Sequence, residues 1–319
     1  MIMPAGGGRS VSRRSVLSVA AAGSLLAACG GGPASTPSAG SAGASATATT
    51  PGRAAEREHE RALRQLERRF GARLGVVAEH TGTGRTLRHR PAERFAMCST
   101  FKVLAAAAVL RRSEDERRLL RRRIGISAAD LVPYSPVCER YAGSGLTVAD
   151  LCEAAVSHSD NTAANKLLEL VGGPRGVTAL AHAAGDTVTR LDRVEPDLNS
   201  AVPGDPRDTT TPANIAATYR ALVLGDVLAA PGRERLRAWM LATTTSADKM
   251  RAGVPESWRV ADKTGSGGYG TGNDVGIVWP PSGSPLVIAV LSTRGERDAD
   301  ADPALIAEVT TIAVEALTT

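Results

Sequence analysis

Aromatic side chains are scarce: Phe, Trp and Tyr make up 3% of the 319 residues. Base stacking needs such rings, so the chain is poorly equipped to grip nucleic acid. Cysteine is also sparse. Cys29, Cys98, Cys138 and Cys152 occur without a Cys-x-x-Cys pair or His-rich spacing for zinc. That pattern excludes a disulfide framework and a zinc site legible in sequence. Excess charge is small once its location is counted. Arg9, Arg13 and Arg14 lie in the first 28 residues, which hold no acid, and supply three of the net +5 charges. In the remainder, acids and arginines interleave, as in Glu56-Arg57-Glu58 and Glu114-Asp115-Glu116-Arg117, which reads as solvated helix faces. The uncharged, apolar-rich segment near the start, Ser15 to Ala28, is too short to span a bilayer.

What is present begins with an address. Ser12-Arg13-Arg14-Ser15-Val16-Leu17 is a twin-arginine pattern, and Leu26-Ala27-Ala28-Cys29 resembles a bacterial lipobox. Residues 1–28 are therefore expected to be a twin-arginine lipoprotein signal. Acylated Cys29 would anchor the protein to the outer face of the cytoplasmic membrane, two acyl chains giving stable attachment. Residues 29–53 have the Gly, Ser, Ala, Thr and Pro composition of a tether. The folded body is expected over 54–319.

Within the body the periodicities fall into blocks. Glu56 to Phe70 reads as an amphipathic helix with Leu63, Leu66 and Phe70 on one side. Leu74–Glu79 and Thr86–His89 read as a hairpin turned by Thr81-Gly82-Thr83-Gly84. Ser99 to about Leu241 is mostly helical, most clearly in 148–157, 162–171 and 212–224. Trp258–Thr264, Asp274–Trp279 and Leu286–Thr293 are β-rich, and Pro303 opens a last helix. Segregated elements of this kind predict an α+β fold. The expected form is a five-stranded antiparallel sheet flanked by the N- and C-terminal helices, with an inserted all-helical lobe. The α/β part would be about 54–92 and 245–319, and the helical part about 93–244. A site between the lobes is the natural expectation.

Four motifs carry chemistry. Ser99-Thr100-Phe101-Lys102 opens an Ala-rich helix, and positions i and i+3 share a face, one turn apart. The helix N-terminus also favours developing negative charge. Ser159-Asp160-Asn161 precedes the next clear helix. Glu195-Pro196-Asp197-Leu198-Asn199 lies in a loop, and Lys263-Thr264-Gly265 stands at the end of a predicted strand, continued by Ser266-Gly267. In this order the set resembles the class A serine β-lactamases, within the wider family of penicillin-recognising serine enzymes.

The resemblance implies hydrolysis of the β-lactam amide of penicillin- and cephalosporin-type antibiotics, and hence resistance, by a monomer without metal or organic cofactor. It implies Ser99 as nucleophile, Lys102 or Glu195 as the acylation base, and Glu195 as activator of the deacylating water. Ser159 would relay a proton to the departing nitrogen, Asn161 would hold the substrate amide, and Asn199 would share the water. Lys263, Thr264 and Ser266 would bind the substrate carboxylate, with Gly265 allowing close approach. The backbone N–H groups of Ser99 and Ser266 would form the oxyanion hole, and Tyr134 the wall of the entrance. Asn165, Arg193 and Asp208 match residues that hold the Glu195 loop. Many relatives carry an arginine where this chain has Gly272, so Lys249 is expected to supply that charge. Cys98 and Cys152 match single halves of bridges found in some relatives, with Gly267 and Ala106 at the partner positions, so neither bridge is expected. The alternatives are a cell-wall D-Ala-D-Ala carboxypeptidase or transpeptidase, which Glu195 argues against, and a non-catalytic lipoprotein.

Overall fold

The computed structural model describes the backbone of residues 51–319 and the side chains of 57–319. The expected signal over 1–28, Cys29 and nearly all of the 29–53 tether lie outside the described residues.

The first helix, α1 (Pro51–Phe70), begins five residues ahead of the amphipathic stretch, with proline at its first position. Its hairpin follows as β1 (Arg73–His80) and β2 (Thr86–His89). The late strands are β3 (Arg259–Gly267), β4 (Thr271–Trp279) and β5 (Leu286–Thr293). All five form one antiparallel sheet in the order β2-β1-β5-β4-β3. Central β5 is apolar on both faces because both faces are covered. Leu286, Ile288 and Val290 enter the core shared with α1 and α8 (Pro303–Thr318), while Val287, Ala289 and Leu291 enter the core of the helical lobe. This is the period-2 alternation of a strand, read out twice.

The lobe contains α2 (Phe101–Asp115), α3 (Val148–Ser157), α4 (Asn161–Val171), α5 (Pro174–Ala183), α6 (Pro212–Val223) and α7 (Ala230–Leu241). Helix α2 is its axis. Phe101 to Ala107, Val109 and Leu110 are all buried, and the helix packs on α3, α4, α5 and α7. A helix apolar all round belongs in a core, which fixes the Ser99 end of α2 against the sheet. The lobe also holds two short ladders, Phe95–Ala96 with Thr209–Thr210 and Arg123–Ile124 with Leu146–Thr147.

Strand β3 runs three residues past its expected end, so Lys263-Thr264-Gly265 lies within the strand. Glycine gives little strand propensity, but the missing side chains are what the packing needs. A Cβ at Gly265 would sit 2.8 Å from Met97 O, and one at Gly267 2.6 Å from Asn199 O. β3 is also the sheet's edge, so its outer backbone groups face the lobe.

Candidate active site

Ser99, the expected nucleophile, sits in a one-turn 3-10 helix, Cys98–Thr100, that feeds α2. Cys98 has φ +45°, and positive φ recurs at Tyr134 (+62°), Ser159 (+58°) and Asp208 (+56°). Non-glycine residues in this region are strained and persist where surrounding contacts over-determine them. The contacts are visible. Tyr219 Oη donates to Thr100 O at 2.7 Å, and Asn273 Nδ2 donates to Ala96 O and Met97 O at 2.9 and 3.2 Å. The Ser99 turn and the β3 edge adjoin, with Cys98 Cβ 3.3 Å from where a Cβ on Gly265 would lie. The two expected oxyanion donors, Ser99 and Ser266, therefore belong to neighbouring segments.

Ser99, Lys102, Ser159, Asn161, Glu195 and Lys263 are all buried and converge. Ser99 Oγ donates to Glu195 Oε1 at 3.5 Å, and that oxygen lies 3.0 Å from Lys102 Nζ. Lys102 Nζ also donates to Ser159 O at 2.7 Å and to Asn161 Oδ1. Burial draws the Lys102 pKa down from the usual amine range, and the Glu195 charge opposes that fall. Lys263 Nζ donates to Ser159 Oγ at 3.0 Å and to Thr264 O at 2.8 Å. Its pKa falls to about 7, first through burial and then through the charge of Lys102. Ser159 thus stands between two lysines, placed to pass a proton.

The Glu195 loop is pinned from both sides. Asn165 Nδ2 donates to Glu195 O and Asn165 Oδ1 accepts the Glu195 N–H, each at 2.9 Å. Asn199 Nδ2 donates to Glu195 Oε2, while Asn199 Oδ1 is buried without a protein partner. The Glu195–Pro196 bond is cis. Arg193 Nε donates to Asp208 Oδ2 at 2.6 Å and Arg193 Nη1 to Ser200 Oγ at 2.9 Å. Asp208 Oδ1 accepts the N–H groups of Asp192 and Arg193. The pair closes the loop neck, and Asp208 is fully buried.

At the rim, Tyr134 is 59% exposed while its carbonyl accepts the Asn161 N–H at 3.0 Å. Thr264 Oγ1 bonds Thr245 Oγ1 at 2.6 Å, and Ser266 is exposed on β3. Gly272 is the cross-strand partner of Ser266. Lys249 is half-buried and close enough for its charge to act on both Lys263 and Asp274. Arg251, two residues on, is engaged elsewhere: its guanidinium donates to Asp262 Oδ1 at 2.9 and 3.0 Å and to the carbonyls of Met240, Leu241 and Val260. Cys98, Cys138 and Cys152 are free and buried. A Cβ at Gly267 would lie 2.7 Å from Cys98 Sγ, so these two positions do face each other, and glycine leaves the thiol unbridged. Burial pushes the Cys98 thiol far above its usual range, which rules it out as a thiolate nucleophile.

Four residues, Asp160, Asn273, Asp262 and Asp274, have contacts at the site that the sequence reading did not assign. Asp160 caps α4 through Ala163 N and takes the N–H groups of Val137 and Cys138 at 2.9 and 2.8 Å, tying the Tyr134 loop to the site. Asn273 holds the approach to Ser99. Asp262 and Asp274 lie diagonally on one face of β3 and β4, and Asp262 Oδ2 and Asp274 Oδ1 have no other partner. Burial pushes both carboxyls up, and the Asp262 charge pushes Asp274 further. Two buried carboxyls this close disfavour joint ionisation. The available signal was a pair of polar residues, Asn273-Asp274, inside a strand buried nearly throughout.

Comparison with known proteins identifies the family. The model of the Beta-lactamase enzyme family matches residues 58–317. Beta-lactamase AST-1 of Nocardia asteroides is 56% identical over 253 residues, 79% of this chain and 82% of that protein. The crystal structure of a β-lactamase from Desulfarculus baarsii has a TM-score of 0.81 at 46% identity, over 83% of this chain and 98% of that one. A variant of the reconstructed last common ancestor of Gram-negative class A β-lactamases has a TM-score of 0.79 at 54% identity, over 82% and 98%. Such identity over most of both lengths fixes more than a fold: the chain belongs to the class A serine β-lactamases.

Proposed function

We propose that Ser99 opens the β-lactam ring and that Glu195 directs the water that frees the enzyme. The overall reaction, hydrolysis of the β-lactam amide with resistance as its consequence, follows from the family. The residue roles rest on one observation: Glu195 Oε1 lies within reach of both Ser99 Oγ and Lys102 Nζ.

In acylation the Ser99 oxygen bonds the lactam carbonyl carbon, and its proton passes to the Lys102–Glu195 pair. Either end can take it, because the two share one close contact. The tetrahedral oxyanion is met by the N–H groups of Ser99 and Ser266. When the C–N bond breaks, Ser159 delivers a proton to the nitrogen, drawing on Lys102 or Lys263 on either side. In deacylation Glu195 removes a proton from water, which attacks the ester carbonyl. Asn199 Oδ1, a buried acceptor with no protein partner, orients that water. Asn161 and Tyr134 hold the substrate side chain, and Lys263, Thr264 and Ser266 hold its carboxylate. A cell-wall peptidase would lack the pinned carboxylate. Steady nitrocefin turnover is expected, and stoichiometric labelling of Ser99 without turnover would overturn the reading.

Lys249 fills the place of the family's arginine as a second cation near the carboxylate site. It is a point charge without arginine's planar fork. Lys249→Ala is expected to raise KM for penicillins about tenfold, the weight of one charge-assisted contact. It has a second expected effect. Lys263 binds carboxylate as the ammonium, so kcat/KM falls as pH rises through about 7. The Lys249 charge lowers the Lys263 pKa, so its removal moves that alkaline limb upward. An unchanged KM and pH profile would discard the role.

We also infer export and anchoring through Cys29, on the strength of the twin-arginine and lipobox residues alone, with the enzyme acting as a monomer at the outer face of the membrane. Among the described residues no helix is long and apolar enough to cross a membrane. Cys29→Ser is expected to move nitrocefin activity from the membrane fraction to the medium; equal membrane retention would refute lipidation.

A further inference from the structure

The carboxyl end of α2 carries charge that the reaction does not use. Between Arg111 and Arg123 stand seven arginines against Glu114, Asp115 and Glu116. All seven are exposed. Among the described residues, only Arg112 of the seven has a carboxylate within 4.0 Å, that of Glu116 at 2.7 Å. The interleaving expected of a solvated helix face ends at Glu116, and none of the next four cations is ion-paired among the described residues.

Those four, Arg117, Arg118, Arg121 and Arg122, line one open surface depression of about 950 Å³ together with Leu119 and two acids, Asp115 and Glu116, so cations outnumber acids there by four to two. The 3-10 turn Leu119–Arg121 holds them there, because Leu119 is buried in the core of the lobe. The arginines are thus displayed on a fixed turn. Like charges gathered this way repel and draw multivalent anions. The depression has no aromatic lining, so it offers bases nothing to stack on. What it offers is guanidinium groups suited to phosphate.

The location gives the patch a use. Helix α2 starts beside Ser99 and ends at Asp115, a rise of about 22 Å at 1.5 Å per residue. The arginine surface is therefore at the far end of the nucleophile helix. A flat anionic surface meeting it leaves the substrate side free. Anionic lipid attracts each nearby arginine, and such patches act with acyl anchors as a second signal.

We propose that the Arg117–Arg122 surface docks on anionic phospholipid headgroups and orients the enzyme with its active site away from the membrane. The choice of lipid as the phosphate source rests on the Cys29 anchoring reading; the charge surface itself does not.

The test uses the mature chain from residue 29 carrying Cys29→Ser, so that lipidation plays no part. It should co-sediment at low salt with vesicles of phosphatidylglycerol in phosphatidylcholine, not with phosphatidylcholine alone, and be released by high salt. Reversing the four charges (R117E/R118E/R121E/R122E) should lower the partition coefficient at least ~100-fold. Nitrocefin kcat/KM should stay within about twofold, these side chains lying outside the reacting groups. Arg117→Gln with Arg118→Gln should give an intermediate loss. Equal binding by the reversed chain, no binding by the parent chain, or tighter binding to a DNA oligonucleotide than to the vesicles would each overturn the proposal. Failure of anchoring would appear instead in the Cys29→Ser fractionation.

Discussion

Glu195→Ala yields an enzyme that is acylated by penicillin and then stalls. In the parent chain Glu195 opposes the fall in the Lys102 pKa that burial causes. Without the carboxylate, desolvation is opposed mainly by the charge of Asp160, and Lys102 shifts further toward the neutral amine. A neutral amine can accept the Ser99 proton, so ring opening continues. The ester has no comparable rescue: Asn199 can still hold a water, but an amide takes no proton from it. Loss of a general base lowers a step by about 10²–10⁴, and here the loss falls on deacylation. Intact mass spectrometry should show a mass increase of one opened β-lactam per chain, with a nitrocefin burst and little steady state. Turnover within about tenfold of the parent would mean that another group activates the water.

Lys102→Ala fails one step earlier. Lys102 and Glu195 have fully buried side chains 3.0 Å apart. Removing the cation leaves a buried carboxylate unpaired, along with Ser159 O and Asn161 Oδ1, which lose their donor. Breaking one side of a buried pair costs about 3–5 kcal/mol, so the melting temperature should fall as well. The acylation rate should drop by about 10²–10⁴, and no adduct should accumulate. The two variants therefore separate in one experiment, adduct trapped in one and none formed in the other. Rapid labelling of Ser99 in Lys102→Ala would show that Glu195 alone suffices as the acylation base.

Much of the site was legible because its chemistry is local. Ser99 and Lys102 share a helix face through spacing alone, and Asn165 stands one turn beyond Asn161 on α4. Glu195 and Asn199 belong to one short segment. The hairpin, β5 and α8 could be read because their apolar periods are undisturbed. The end of β3 could not. Gly265 and Gly267 look like a strand terminus, yet the strand continues because Met97 O and Asn199 O come too close for any side chain there. Asp274 was hidden for a related reason: its role depends on Asp262, twelve residues away and brought beside it only by the register that sets Thr264 opposite Asp274.

The sequence by itself determined the alternating blocks of helix and strand and the four motifs that carry the candidate reacting groups. It did so because helix and strand periods, and the residue types a reaction requires, are properties of short segments. Only the tertiary structure decided that Glu195 Oε1 meets both Ser99 and Lys102, that Ser159 is shared by two lysines, and that Lys263 loses its proton near neutrality. Each of these depends on burial and on distances between segments far apart in the chain, and so on the fold that excludes water from the space between them.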